Sequence, residues 1–391
     1  MRRLYCYFFL FSIIILSSCQ TGKQPSAPAQ KVSIDTAKKD KHKFIEDFTD
    51  SLRFVALESK KGYEISRVDK LFATPVNLIV YDLSKHRVLI YNSNGKVLAK
   101  IDGYSSHPDG HSVITNVSFD YKKNQIIILD LKQENIINYD LKGQPVATVA
   151  IQDGGKAGMG VVKVKDGYIF NRNNRDRDGN RIAFFSSDDK EAKFENSVLP
   201  LPESIKNSQY FSDDLLDICN DSLFYFPPLA NTIYCLTPTE AVPVYNLDQN
   251  GMPLVTKKLT NHQHFSNTFQ IYGTGRHMPD IYGTFNLHVT PKLLFFNYSK
   301  GLDGAPFSFF YERNKKSSFL VDRRVAFKKY PKNTFVNFVI GKLNDYLILP
   351  IYSDTYGDNG FVNQLPAEMG NAIKNNSPIL IFYRPKESLL N

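Results

Sequence analysis

The sequence has no tryptophan, and only four cysteines and five methionines in 391 residues. Two of the cysteines, Cys6 and Cys19, fall at the very start. The body is left with Cys219 and Cys235, too few for a scaffold held by disulfides. There is no G-x-S-x-G elbow, Walker loop, Rossmann fingerprint or C-x-x-C pair, so no short motif supports hydrolase, nucleotide-binding or thiol-redox chemistry. Charge of one sign is also scarce where it would matter. The chain carries formal +9, but Arg2, Arg3 and the lysines 23, 31, 38, 39, 41 and 43 supply most of the excess. From Phe44 onward there are 40 basic and 37 acidic residues, a balance that argues against a nucleic-acid-binding body. No second apolar run after the start is long enough to span a bilayer.

The chain opens with Met-Arg-Arg and an apolar run, Phe8 to Leu16, followed by Leu16-Ser17-Ser18-Cys19. A basic start, a short apolar stretch and small residues read as a signal peptide over 1–18. The last four residues resemble the lipobox of bacterial lipoproteins, which implies a lipidated Cys19 and a partner in the membrane. Residues 19–43 are rich in Gln, Pro, Ala, Lys, Thr and Ser and read as a flexible tether. The expected address is the cell envelope. Because Gln20 is not an aspartate, the expectation is the outer membrane, with the body facing the periplasm.

Residues 44–391 read as one all-β domain. Val68 to Ile101 holds four short strand-like runs separated by turn signals, and Val117 to Ile151 holds four more. RVLIYNSNGKVLAKI aligns with NIINYDLKGQPVATVAI, with Tyr91 over Tyr139 and Gly95 over Gly143, each 48 residues apart. The aromatic recurs as Phe185, Tyr234, Tyr311 and Tyr383. Units of this length with period-2 alternation predict a six-bladed β-propeller of four-stranded antiparallel blades. The sixth unit (FVNFVIGKL, DYLILPIY, PILIFYR) has three strands. RFVALE, Arg53 to Glu58, has no unit of its own, so this N-terminal strand is expected to close the ring beside Pro378 to Arg384. Cys219 and Cys235 then lie two strands apart, about 9–10 Å, beyond the reach of a disulfide.

FVALE, LIVYDLSKHRVLIYNSNGKVLAKI and IIILDLKQENIINYDLKGQPV resemble a family of six-bladed propeller lipoproteins of Gram-negative bacteria, distantly NHL- and TolB-like. The resemblance is good over about residues 50–151 and loose beyond. It departs at Gly103 to His111, where the family often has a Gly-Pro-Gly-Glu-like segment. It implies the propeller fold and the anchor, and no activity.

In such a meander the loops between strands 1–2 and 3–4 share one face, and the remaining connections share the other. All the long segments fall on the second face: 103–115, 171–180, 200–213, 250–283, 297–306 and 353–377. Long loops on one face suggest a binding surface. Its candidate ligand residues are Tyr272, Arg276, His277 and Tyr282, from the repeated Ile-Tyr-Gly-Thr, and Arg175 and Arg177, from an arginine cluster with Arg172 and Arg181. Tyrosines among polar groups suit a peptide, a glycan or a partner protein. The oxygen side chains of 176–180 start like a calcium loop, but the glycine is misplaced and the arginines would repel a cation. His262 and His264 share a side of an extended segment, and His107 and His111 share a loop, without making a metal motif. A non-catalytic binding or scaffolding monomer needing no cofactor is the leading expectation. The alternative is a metal-dependent propeller hydrolase or lyase, with Glu64, Asn116, Asp214, Asn286 and Asn337 near the mouth of a central channel.

Overall fold

We describe a computed structural model, over residues 28–34, 38–39, 44–103, 113–154, 157–172, 179–201, 215–227, 230–248, 282–300, 306–322, 324–328, 330–336, 338–352, 369–370, 372 and 375–390. The N-terminal segment forms β1 (Gln30–Ser33), β2 (Lys38–Lys39), the one-turn α1 (Ile45–Phe48) and β3 (Thr49–Ala56). The first unit is β4 (Lys70–Ala73), β5 (Asn77–Asp82), β6 (Arg87–Asn92) and β7 (Val97–Asp102). The second is β8 (Asn116–Asp120), β9 (Gln125–Asp130), β10 (Asn135–Tyr139) and β11 (Pro145–Ile151). The third is β12 (Gly160–Val164), β13 (Gly167–Asn171), β14 (Asn180–Ser187) and β15 (Glu191–Pro200). The fourth is β16 (Leu216–Cys219), β17 (Ser222–Tyr225), β18 (Thr232–Leu236) and β19 (Ala241–Asp248). The fifth is β20 (Tyr282–Val289), β21 (Leu293–Lys300), β22 (Pro306–Glu312) and β23 (Ser317–Asp322). A hairpin, β24 (Arg324–Phe327) and β25 (Tyr330–Val336), precedes β26 (Gly341–Leu343), β27 (Tyr346–Ile351) and β28 (Ile379–Pro385).

The result is all-β, a propeller-like arrangement of small antiparallel sheets, but not six separate four-stranded blades. Among the described residues only two sheets have four strands: β4–β7, and β26-β27-β28-β3, in which β3 pairs antiparallel with β28. The second and third units share one eight-stranded sheet, because the end of β11 pairs in parallel with the start of β15. The fourth and fifth units gain β1 and β2 as parallel fifth strands. FVNFVIGKL is not a single strand. Phe335 and Val336 end β25, and the first strand of the last sheet is only Gly341–Leu343. Within 297–306, expected as a long loop, β21 reaches Lys300 and β22 begins at Pro306, so the connection is short.

The segment expected to be a tether is also partly strand. Val32 and Ile34, its two large buried apolar residues, are 1% and 2% exposed and pack into the core between the third, fourth and fifth units. Burying both offsets the ordering cost of this otherwise polar stretch.

Strand alternation explains the packing. In β9, Ile126 and Ile128 pack toward the first unit, while Ile127 and Leu129 pack toward the third. Similar apolar layers join the third to the fourth and fifth, the fifth to the last, and the last to the first. The recurrent aromatic marks a bulge. The register shifts at Tyr91, Tyr139, Phe185 and Tyr234, between the third and fourth strands of the first four units. The turns that follow also repeat. Asn92 Oδ1 accepts the amides of Asn94 and Lys96, and Asp140 Oδ1 those of Lys142 and Gln144. Gly95 and Gly143 supply the left-handed residue, φ +83° and +77°. Cys219 and Cys235 are both free. They sit in the first and third strands of the fourth unit with β17 between.

Candidate functional site

The first strands of the units lie near the centre, with β26 against β4, β4 against β8, β8 against β12 and β16 against β20. Their polar residues form the densest chemistry in the described protein. Lys342, on β26, donates from Nζ to Asp217 Oδ2 (2.5 Å) and Ile218 O (2.6 Å) of β16, and to Val289 O of β20. Asp217 Oδ2 also accepts the Val289 amide at 2.5 Å. Both side chains are about 15% exposed. An ammonium has three protons, and all three are spent within the protein. His288 stands beside this pair, with Nε2 3.2 Å from Val339 O and its ring 6.2 Å from that of Phe295. Desolvation holds its imidazole below the usual histidine range, with Lys342 adding to the effect and Asp217 and the Val339 hydrogen bond opposing it. A lysine, a carboxylate and a neutral imidazole resemble catalytic parts. With all three ammonium protons spent on Asp217 and two backbone carbonyls, the lysine and the carboxylate form a pin joining three first strands. Elsewhere in the centre, Lys70 Nζ donates to Asn116 Oδ1 at 3.1 Å.

The two ends of the sheets differ. At one end the connections 74–76, 93–96, 121–124, 140–144, 165–166, 188–190, 220–221, 237–240, 290–292, 313–316 and 344–345 are each two to five residues long. Lys122 and Asp221, from turns of the second and fourth units, pair there at 3.0 Å. At the other end the connections 103–115, 201–215, 249–281 and 352–378 run to 13, 15, 33 and 27 residues. Buried acceptors at this same end hold the four-residue connections 83–86 and 131–134. Asp82 takes the Ser66 amide and the Ser84 hydroxyl, both at 2.6 Å. Asp130 takes the amides of Lys132 and Gln133. The Tyr81 hydroxyl donates to Ile114 O at 2.9 Å, where 103–115 re-enters the sheet.

A shallow rim cleft of about 380 Å³ opens between the β6–β7 turn and the ends of β3 and β28, with Glu58, Lys96 and Asn375 in its lining. The Glu58 carboxylate is already engaged by the Val97 amide at 2.9 Å. Among the described residues no three His, Cys, Asp or Glu side chains are grouped to hold a metal, and no helix is long and apolar enough to cross a membrane.

A family model covers residues 29–384, nearly the whole body. The chain belongs to the DUF4934 family, a domain of unknown function. No curated protein matches it. Among solved structures, it is similar to a protein of Bacteroides fragilis named as an exported protein. That match has TM-score 0.70 at 16% identity, covering 91% of this chain and 100% of that one. It is also similar to a member of the DUF4221 family from Bacteroides vulgatus, TM-score 0.51 at 8% identity, covering 86% and 97%. At these identities the likeness is one of fold.

On this DUF4934 fold the sequence-derived candidates scatter. Cys19, Tyr272, Arg276, His277, Arg175 and Arg177 lie outside the described residues, as do the four histidines 107, 111, 262 and 264. Tyr282 opens β20 opposite Lys300, at the long-connection end. Arg172 and Arg181, at the base of 172–179, are buried, with the Arg172 guanidinium 5.8 Å over the Phe194 ring. Of the channel candidates, Asp214 and Asn337 lie outside the described residues. Glu64 is turned back onto its own and Gly62's amides, which lower its carboxyl below the ordinary value. Asn286 donates to Asn297 Oδ1 at 3.0 Å, and Asn297 to Ser308 Oγ at 2.9 Å, an amide ladder across β20–β22. Sequence reasoning missed Lys342, Asp217 and His288. The available signal was a charged residue inside each of two short first strands, LDIC and GKL.

Proposed function

We propose that this chain is a lipid-anchored binding or scaffolding propeller of the cell envelope, held by Cys19 at the outer membrane and facing the periplasm. It acts as a monomer and carries a peptide, glycan or partner protein on its long-connection end. The observation that carries this reading is the difference in connection length. Every turn of the first set is five residues or shorter, while the other end carries connections of 33, 27, 15 and 13 residues. Insertions of that size in a compact β fold are where binding surfaces are built. The basic start, short apolar run and lipobox-like Cys19 support export and anchoring, as does the fold shared with a protein named as exported.

The proposal includes a closed ring of six blades, the last completed by β3. The equivalence of seams supports it. The Gly143 turn packs on Lys100 and Ala99 of β7, and the Gly95 turn packs on Ala56 of β3 in the same way. The Glu58 amide bonds Gly95 O, as the Ala150 amide bonds Lys190 O between the second and third units. On this reading the eight-stranded sheet is two blades stitched at the rim by two residue pairs.

The test replaces 250–281 with a short turn. The shortened protein should melt as the parent does and lose capture of its envelope ligand. Unfolding of the whole domain would make the insertion structural and remove it as the binding element.

A further inference from the structure

The N-terminal segment enters the fold at a defined place and in a defined direction. β1 runs parallel to β19, from Gln30 beside Tyr245 to Ser33 beside Asp248. Because β19 leaves a short turn and ends at the 249–281 connection, the reversed direction of β1 leads back toward the short-turn end. Gln30 Nε2 donates to the Tyr311 hydroxyl. Tyr311 packs against Tyr245 at 6.1 Å, and the Tyr245 hydroxyl accepts from Arg313 Nε at 2.9 Å. Arg313 opens the 313–316 turn, so the entry point lies against that turn. Lys31, Lys315 and Lys316 are exposed around it.

We propose that, resting on the anchor reading above, the short-turn end of the fourth and fifth units faces the lipid surface, and the long-connection end faces away from it. Eleven residue steps separate Cys19 from Gln30 and span at most about 38 Å. An inverted body would have to fit the 33- and 27-residue connections into that gap. Basic side chains act on anionic head groups only within roughly a Debye length, about 8 Å at physiological salt. A tether leaving in this direction brings the exposed lysines beside the entry point toward that surface.

The test uses full-length lipidated protein on phosphatidylethanolamine–phosphatidylglycerol vesicles containing a spin-labelled quencher lipid. A fluorescent amino acid is placed either at Asn314, in the 313–316 turn, or at Leu83, at the long-connection end. The expected result is flotation with the vesicles, strong quenching at Asn314 and none at Leu83. Replacing Lys315 and Lys316 with Glu should reduce the Asn314 quenching. Flotation with equal quenching at both sites, or stronger quenching at Leu83, overturns the orientation while leaving the anchor intact. Failure of the parent to float, indistinguishable from Cys19→Ala, removes the anchor reading and the orientation with it.

Discussion

Replacing Lys342 with Met should destabilise the whole domain. Methionine matches the stem of lysine and removes only the ammonium, so the packing of β26 is retained. Three acceptors then lose a donor: Asp217 Oδ2, Ile218 O and Val289 O. Among the described residues the carboxylate, about 15% exposed, keeps the Val289 amide alone. Removing one partner of such a pair costs about 3–5 kcal/mol, because the other charge stays buried without compensation. A domain of nearly 350 residues has an unfolding entropy of roughly 0.7 kcal/mol/K, so Tm should fall by about 4–7 °C. Differential scanning calorimetry reads this directly. Adding Asp217→Asn in the same chain should cost less than the sum of the single changes, a coupling of about 1–3 kcal/mol. A Tm drop below about 1 °C, or strict additivity, would refute the idea that the pin holds three first strands together.

Val32→Ala with Ile34→Ala should lower stability by about 3–5 kcal/mol, since both side chains fill the layer beneath β19. An unchanged urea midpoint would mean that β1 is not part of the cooperative unit. Gly95→Ala should be more damaging than Gly143→Ala, although both residues have positive φ. Its added Cβ would lie 2.0 Å from Ala56 O, against 3.1 Å from Lys100 O at Gly143. Equal Tm values for the two variants would contradict this. Burial holds the His288 imidazole below its ordinary 6.5 in the fold, so on acidification the unfolded state takes up this proton first. The unfolded state then binds more protons, so stability should fall as pH drops below about 6.5. His288→Asn should flatten that part of the profile, and an unaltered slope would assign it to other groups.

The strand plan was legible because both faces of most strands are buried. β5 and β9 read as near-continuous apolar runs, and Tyr91, Tyr139, Phe185 and Tyr234 marked bulges that recur at one place in the unit. Turn chemistry at Asn92-x-x-Gly95 and Asp140-x-x-Gly143 was equally local and equally readable. Three features were not. The ordering of β1 depends on two apolar residues, Val32 and Ile34, in a polar stretch, and on the layer they meet. The β24–β25 hairpin was hidden because FVNFVIGKL runs from the end of one strand to the start of another without a strong turn signal. The Lys342–Asp217 pin joins residues 125 apart in sequence, and no periodicity reports a contact that the sheet arrangement alone creates. The binding candidates on 172–179 and 249–281 were argued from loop length and residue type. Of these connections the described residues reach only the bases: Arg172 and Arg181, which are buried, and the start of β20.

If the long-connection end carries the ligand, partner proteins should meet the protein there. Photo-crosslinking in living cells with a reactive amino acid at single positions reads this contact. Leu83 and Asp248 report on the long-connection end, and Asn94 and Thr239 on the short-turn end. Discrete protein adducts are expected from Leu83 and Asp248 and none from Asn94 or Thr239. Adducts confined to Asn94 and Thr239, or equal at all four positions, would contradict it.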